Sequence, residues 1–173
     1  MSLRDFAGEL PDYAKDIRLN LSSLASDATL PDQRKYGLLL ATAHGSGYKP
    51  LVDAAEAECV PKLSPEAATA ARAAAAIMAM NNVYYRFVHL SSNKEYGQLP
   101  AKLRMNVIGA PGIDKADFEL FSLAVSAQNG CGMCIDAHEK VLKSHNVPAE
   151  QIQAAARYAA VMTAAATVHA TKV

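Results

Sequence analysis

"LSPEAATAARAAAAIMAM", residues 63–80, lies over "VPAEQIQAAARYAAVMTA", residues 147–164, without a gap and at a separation of 84 residues. Glu66 meets Glu150, Ala70 and Ala71 meet Ala154 and Ala155, and Met78 meets Met162. Both stretches are built from residues that lose little on entering a helix. Each opens with a proline or small residue and an early glutamate, where a helix start favours negative charge. The same separation lays "LLATAHGSGYKPLVDAAE", from Leu39, over "LAVSAQNGCGMCIDAHEK", from Leu123. Leu39 then meets Leu123, Ala43 meets Ala127 and Leu51 meets Ile135. A two-residue shift further upstream pairs "IRLNL" (17–21) with "LRMNV" (103–107). Three matches in one order predict a duplicated helical unit. Two copies are too few for a solenoid, which needs about three or more repeats. The expectation is a single domain over residues 1–173, its halves (roughly 15–90 and 100–173) packed on one core.

Outside these echoes the chain is also helical in character. Alternating runs of β-branched residues are hard to find. "KADFELFSLAVSAQN" carries Phe118, Phe121, Leu123 and Val125, which suits a helix buried on most sides. Proline and glycine fall between the segments, at Pro31, Gly45, Gly47, Pro65, Pro100, Pro111, Gly112 and Pro148. The reading is all-α, with seven or eight helices and short connections.

Composition narrows the function classes. Hydrophobic residues make up 51% of the 173, enough for a buried core. No run of about eighteen apolar residues occurs, so no membrane span is expected. "MSLRDFAGEL" has charges where a secretory signal needs an apolar segment, so a cytoplasmic location is expected. Seventeen basic residues balance seventeen acidic ones, which argues against a nucleic-acid partner. Three cysteines are too few for a secreted disulfide framework, and in a reducing cytosol a close pair points to catalysis or metal binding.

Two of the three stand together in "NGCGMCIDAHE", residues 129–139. The duplication isolates them: Cys131, Cys134 and His138 correspond to Gly47, Pro50 and Ala54 in the first copy. The first copy therefore has the scaffold without the reactive groups. For a helix beginning near Gly130 or Cys131, Cys134 lies about 60° and His138 about 20° from Cys131 around the axis. All three project from one face. A helix start favours thiolate over thiol and lowers a cysteine pKa from about 8.5. His138, one turn beyond Cys134, is placed to take that thiol's proton, directly or through a water. Glu119 sits among apolar residues on the preceding helix, where a carboxylate is costly unless paired. A hairpin turning near Asn129 and Gly130 brings Glu119 opposite His138, to hold and polarise the imidazole. The alternative is an exposed glutamate on a solvated face.

Other readings remain beside this one. Structural zinc needs four ligands. Cys131, Cys134 and His138 supply three, with Cys59, His145 or Glu119 as a fourth, but no second CxxC or HxxxH is present. A thioredoxin-like CxxC follows a strand, and these surroundings are helical. Cys59 stands alone and reads as a buried or peripheral thiol. His44, His89, His145 and His169 have no acidic or thiol neighbour at a telling spacing. "MNNVYYRF" (80–87) reads as core or subunit contact before cofactor contact. "HGSG" at 44–47 lacks the following lysine of a phosphate loop.

"CGMCIDAHE", with Glu119 upstream in "DFEL", resembles the alkylhydroperoxidase D family of the carboxymuconolactone decarboxylase-like superfamily. The likeness runs nearly the whole chain, through "LPDYAKDIRLNLSS", "AIMAMNNVYYRF" and "LRMNVIGAPGIDKADFELFSLAVSAQNGC". It implies an all-helical fold with an internal repeat, and a homotrimer. It implies thiol-dependent reduction of alkyl hydroperoxides and hydrogen peroxide, with Cys131 and Cys134 as the redox pair and Glu119 and His138 as the relay. No tightly bound cofactor is implied. Electrons come from dihydrolipoamide on a lipoyl-bearing acyltransferase, and a peroxiredoxin is the implied partner. In one departure, the family's best-known members have histidine immediately before the second cysteine, where this chain has Met133. The alternative functions are a thiol–disulfide adaptor that reduces a peroxiredoxin, and a lactone-acting lyase that needs no cysteine.

Overall fold

The computed structural model describes residues 1–172. Among them are nine α-helices: α1 (Leu3–Gly8), α2 (Lys15–Leu24), α3 (Asp32–Ser46), α4 (Lys49–Cys59), α5 (Pro65–Leu90), α6 (Asn106–Gly109), α7 (Lys115–Gln128), α8 (Gly132–Ser144) and α9 (Ala149–Thr171). Three short 3-10 turns complete the secondary structure, and no strand occurs among the described residues. The all-α expectation holds. The helix count exceeds seven or eight because α1 and α6 are too short to show a hydrophobic period. Local chemistry explains α1: Ser2 and Asp5 form a reciprocal capping box at its start.

The duplication is visible in the helix boundaries. α7, α8 and α9 begin 83, 83 and 84 residues after α3, α4 and α5. Each copy is a three-helix unit. The upstream echo fails, however. Residues 17–21 lie in the ten-residue α2, whereas 103–107 run mostly irregularly into the single turn of α6. Pro100 and the Pro111–Gly112 pair bracket that stretch, and Pro111 bars α6 from continuing past Ala110.

α3 and α7 pack on each other at the centre, and both pack on α5 and α9. Gly37 permits the crossing. A Cβ at that position would come within 2.1 Å of the Phe121 ring. Leu38, Leu39 and Leu40 from α3 and Phe118, Leu120 and Phe121 from α7 fill the space around it, all essentially inaccessible to solvent. Gly37→Ala is therefore expected to destabilise the protein by about 1–3 kcal/mol through overpacking, against a helix-propensity gain of about 1 kcal/mol. Urea unfolding checks this; an unchanged or raised midpoint would show that the α3–α7 crossing is looser than described.

Every residue of α7 from Ala116 to Ser126 is buried, including Asp117 and Glu119. Two carboxylates in such a helix need partners. Asp117 accepts hydrogen bonds from Arg34 Nε at 2.6 Å and Gln33 Nε2 at 2.7 Å. Arg34 also donates to Gln151 Oε1 at 2.6 Å, so one guanidinium joins α3, α7 and α9. Glu119 faces the other way, toward α8.

Candidate active site

The turn between α7 and α8 sets the site. Gly130 adopts φ +65°, a left-handed conformation that favours glycine, and lets the chain reverse within two residues of α7. The Cys131 N–H donates back to Ser126 O at 3.1 Å. Cys131 is the N-cap of α8 and Cys134 its third residue, so both sulfurs lie at the positive end of the helix dipole. The helix thus starts one or two residues later than the sequence suggested. Cys131 and Cys134 are joined as a disulfide, with their Cα atoms 5.3 Å apart.

The two sulfurs differ in access. Cys131 is completely buried, while Cys134 is 6% exposed. Cys134 lines a cavity of about 420 Å3 that Cys131 does not line. His138 and Glu119 line the same cavity, and Met78, Met105 and Ile108 make much of its wall apolar.

The hairpin brings Glu119 and His138 together across nineteen residues: His138 Nδ1–H donates to Glu119 Oε2 at 2.5 Å. Lys115 Nζ bonds the other oxygen, Oε1, at 2.7 Å and also donates to the Ile108 carbonyl. Glu119 is only 2% exposed, so the exposed-glutamate alternative does not apply. Burial by itself raises this carboxyl's pKa. The hydrogen bonds from His138 and Lys115 outweigh burial and hold the pKa below the ordinary carboxylate value. With the proton kept on Nδ1, the neutral ring presents Nε2 as its base. Nε2 lies 3.3 Å from Met78 Sδ, a soft acceptor for the Nε2–H of the protonated ring.

Behind Met78 a polar chain runs from the interior toward the surface. Ser126 Oγ donates to Met78 Sδ at 3.5 Å, and Asn82 Nδ2 donates to Ser126 Oγ at 2.9 Å. Asn82 Oδ1 accepts from Asn129 Nδ2 at 3.0 Å, and Arg86 donates to the Asn129 carbonyl at 2.5 Å. The residues just before Cys131 are thereby tied to α5.

All four sequence-identified residues surround one site, with Cys131 behind Cys134. Lys115, Met78, Asn81, Tyr85 and Met105 were missed. The i, i+4 spacing of Lys115 and Glu119 in "KADFE" was an available signal for the first. "MNNVYYRF" divides: Asn81 and Tyr85 line the cavity, Asn82 is structural, and Val83 and Phe87 are exposed. Two of the remaining histidines find acids through tertiary contacts. His44 Nε2 lies 2.6 Å from Glu56 Oε1, and His169 Nε2 lies 2.9 Å from Glu9 Oε2.

No group of three or more His, Cys, Asp or Glu side chains converges to hold a metal among the described residues. Among those residues no helix is long and apolar enough to cross a membrane.

Cys59 is fully buried, and that burial pushes its thiol pKa up to about 12. Iodoacetamide at neutral pH is therefore expected to leave the native oxidised protein unmodified. After reduction it should label Cys134 first. Peptide mass mapping checks this, and early labelling of Cys59 would contradict its described burial.

A duplicated helical scaffold that arms one copy with a disulfide-forming pair and a buried carboxylate–imidazole couple is a dithiol site, and residues 94–173 match the carboxymuconolactone decarboxylase family. The chain is 77% identical over all 173 residues to alkyl hydroperoxide reductase AhpD of Rhizorhabdus wittichii, spanning the whole of both proteins. It is 62% identical over 166 residues to alkyl hydroperoxide reductase AhpD of Rhodopseudomonas palustris, covering 96% of this chain and 92% of that protein. Against the Maricaulis maris protein of the same name the figure is 60% over 168 residues, covering 97% of each. The chain belongs to the alkyl hydroperoxide reductase AhpD family.

Proposed function

We infer that the protein is a thiol peroxidase that reduces alkyl hydroperoxides through a Cys131–Cys134 dithiol/disulfide cycle. The observation that carries this reading is the placement of Cys134, His138 and Glu119 around one largely apolar cavity. Cys134 is the attacking sulfur, because it faces the cavity and Cys131 does not. The apolar walls suit an alkyl tail, and hydrogen peroxide is a smaller substrate of the same chemistry.

His138 Nε2 takes the Cys134 proton, and the helix start favours the thiolate. The thiolate attacks the terminal peroxide oxygen. An S–O bond forms, the O–O bond breaks, and the leaving alkoxide takes the proton from His138. Sulfur has lost two electrons and the peroxide has gained them, giving a sulfenic acid and an alcohol. The Cys131 thiol then attacks the Cys134 sulfenic sulfur, water leaves, and the disulfide described here forms. A dithiol reductant restores the pair by exchange. We assign that role to dihydrolipoamide on a lipoyl-bearing acyltransferase, in the cytoplasm, with no tightly bound cofactor.

A second reading is an adaptor that passes electrons to a peroxiredoxin. Met133 supports it: this residue is 38% exposed, lines the cavity beside Cys134, and carries no proton. The exposed apolar residues Val83, Phe87 and Leu90 along α5 suit the subunit contact of a homotrimer. Peroxide consumption with dihydrolipoamide, with and without an added peroxiredoxin, separates the two readings. Consumption without the partner supports the peroxidase; consumption only with it supports the adaptor. Consumption in neither case overturns both.

A further inference from the structure

We propose that Asn81 binds the peroxide group, its side-chain carbonyl accepting the terminal O–H of the hydroperoxide. This rests on the peroxidase reading above. Asn81 lies on α5, is 5% exposed, and lines the cavity shared by Cys134 and His138. Its Oδ1 is buried and accepts no hydrogen bond among the described residues. A buried amide oxygen left without a donor is destabilising, so such groups are rare in folded proteins.

The adjacent residue makes the contrast. Asn82 spends both ends of its amide within the protein, donating to Ser126 and accepting from Asn129. Of two consecutive asparagines, one holds the turn before Cys131, and the other, a residue of the cavity wall, has a buried acceptor without a partner. Nearby donors are already committed: the Tyr85 hydroxyl to Met105 Sδ at 3.9 Å, and Lys115 to Glu119 and the Ile108 carbonyl.

A hydroperoxide supplies the missing donor. Its terminal oxygen carries the proton and is also the atom the thiolate attacks. A carbonyl that accepts that proton orients the O–O bond for attack from Cys134, while the tail rests on the apolar wall. The oxygen that leaves is the inner one, so the contact does not obstruct the departing alkoxide. The terminal O–H remains on sulfur as the sulfenic acid, so the alcohol departs without it.

The test uses Asn81→Leu, close in volume, with Asn81→Ala alongside in case leucine does not fold. Cumene hydroperoxide is the substrate and dihydrolipoamide the reductant. The expected result is a KM raised about tenfold or more, with the thermal midpoint unchanged or raised, because an unsatisfied polar group has been removed from a buried site. Reduction of the Cys131–Cys134 disulfide by dihydrolipoamide, a step without peroxide, reports that the redox pair is intact in each variant. An unchanged KM in a folded variant overturns the role of Asn81 alone. A wild-type protein that reduces its disulfide but consumes no hydroperoxide overturns the peroxidase reading and this assignment together.

Discussion

Cys134→Ser is expected to abolish peroxide turnover, whereas Cys131→Ser is expected to leave one rapid equivalent of peroxide consumed per chain. The two residues are three apart on one helix start, and local electrostatics scarcely distinguish them. The cavity does: only Cys134 faces it. A serine hydroxyl there stays protonated at neutral pH and cannot form a sulfenic acid. Without Cys131 the first attack still occurs, and the sulfenic acid then waits for an external thiol. Stopped-flow peroxide consumption and dimedone trapping at Cys134 measure both steps. A burst in Cys134→Ser and none in Cys131→Ser would reverse the assignment. Turnover surviving in the double serine variant would remove the cysteines from the chemistry.

Glu119→Gln is expected to lower the peroxidase rate by roughly 10²-fold or more, within the range of about 10²–10⁴ for acid–base assistance. The side chain keeps its shape but can turn its amide N–H toward His138 Nδ1. That bond moves the imidazole proton to Nε2 and removes the base from the cavity side. The carboxylate also stabilises the imidazolium formed when Cys134 is deprotonated, which an amide cannot do.

The same substitution has a stability signature. The folded-state pKa of Glu119 lies below its ordinary value. Its contribution to stability is therefore complete above the unfolded-state pKa, and it disappears as pH falls through the folded one. Wild type should exceed Glu119→Gln by on the order of 1–3 kcal/mol near neutral pH, since buried bonds to His138 and Lys115 are lost. The gap should close below about pH 4, toward the depressed folded-state value. Urea unfolding across pH measures it, and a gap that widens on acidification would contradict the described pairing.

What the chain alone determined is local or repetitive. Alanine-rich stretches with early glutamates form helices because propensity and capping act within one turn, and the 84-residue echo marked two copies of a three-helix unit. Cys134 and His138 share a face because they stand about one turn apart on one helix, whereas Cys131 is the N-cap before it. Contacts between helices were another matter. The hairpin reading set a Glu119–His138 pairing beside an exposed glutamate, and only the packing of α7 against α8 decided between them and added Lys115. Met78 and Asn81 reach the site from α5, about fifty residues upstream of the cysteines, and no spacing rule marks them. The upstream echo misled because a five-residue likeness cannot outweigh the proline and glycine that stop α6. Which cysteine faces the cavity was likewise decided by tertiary structure: burial depends on what packs over a helix face, and the covering residues lie elsewhere in the chain.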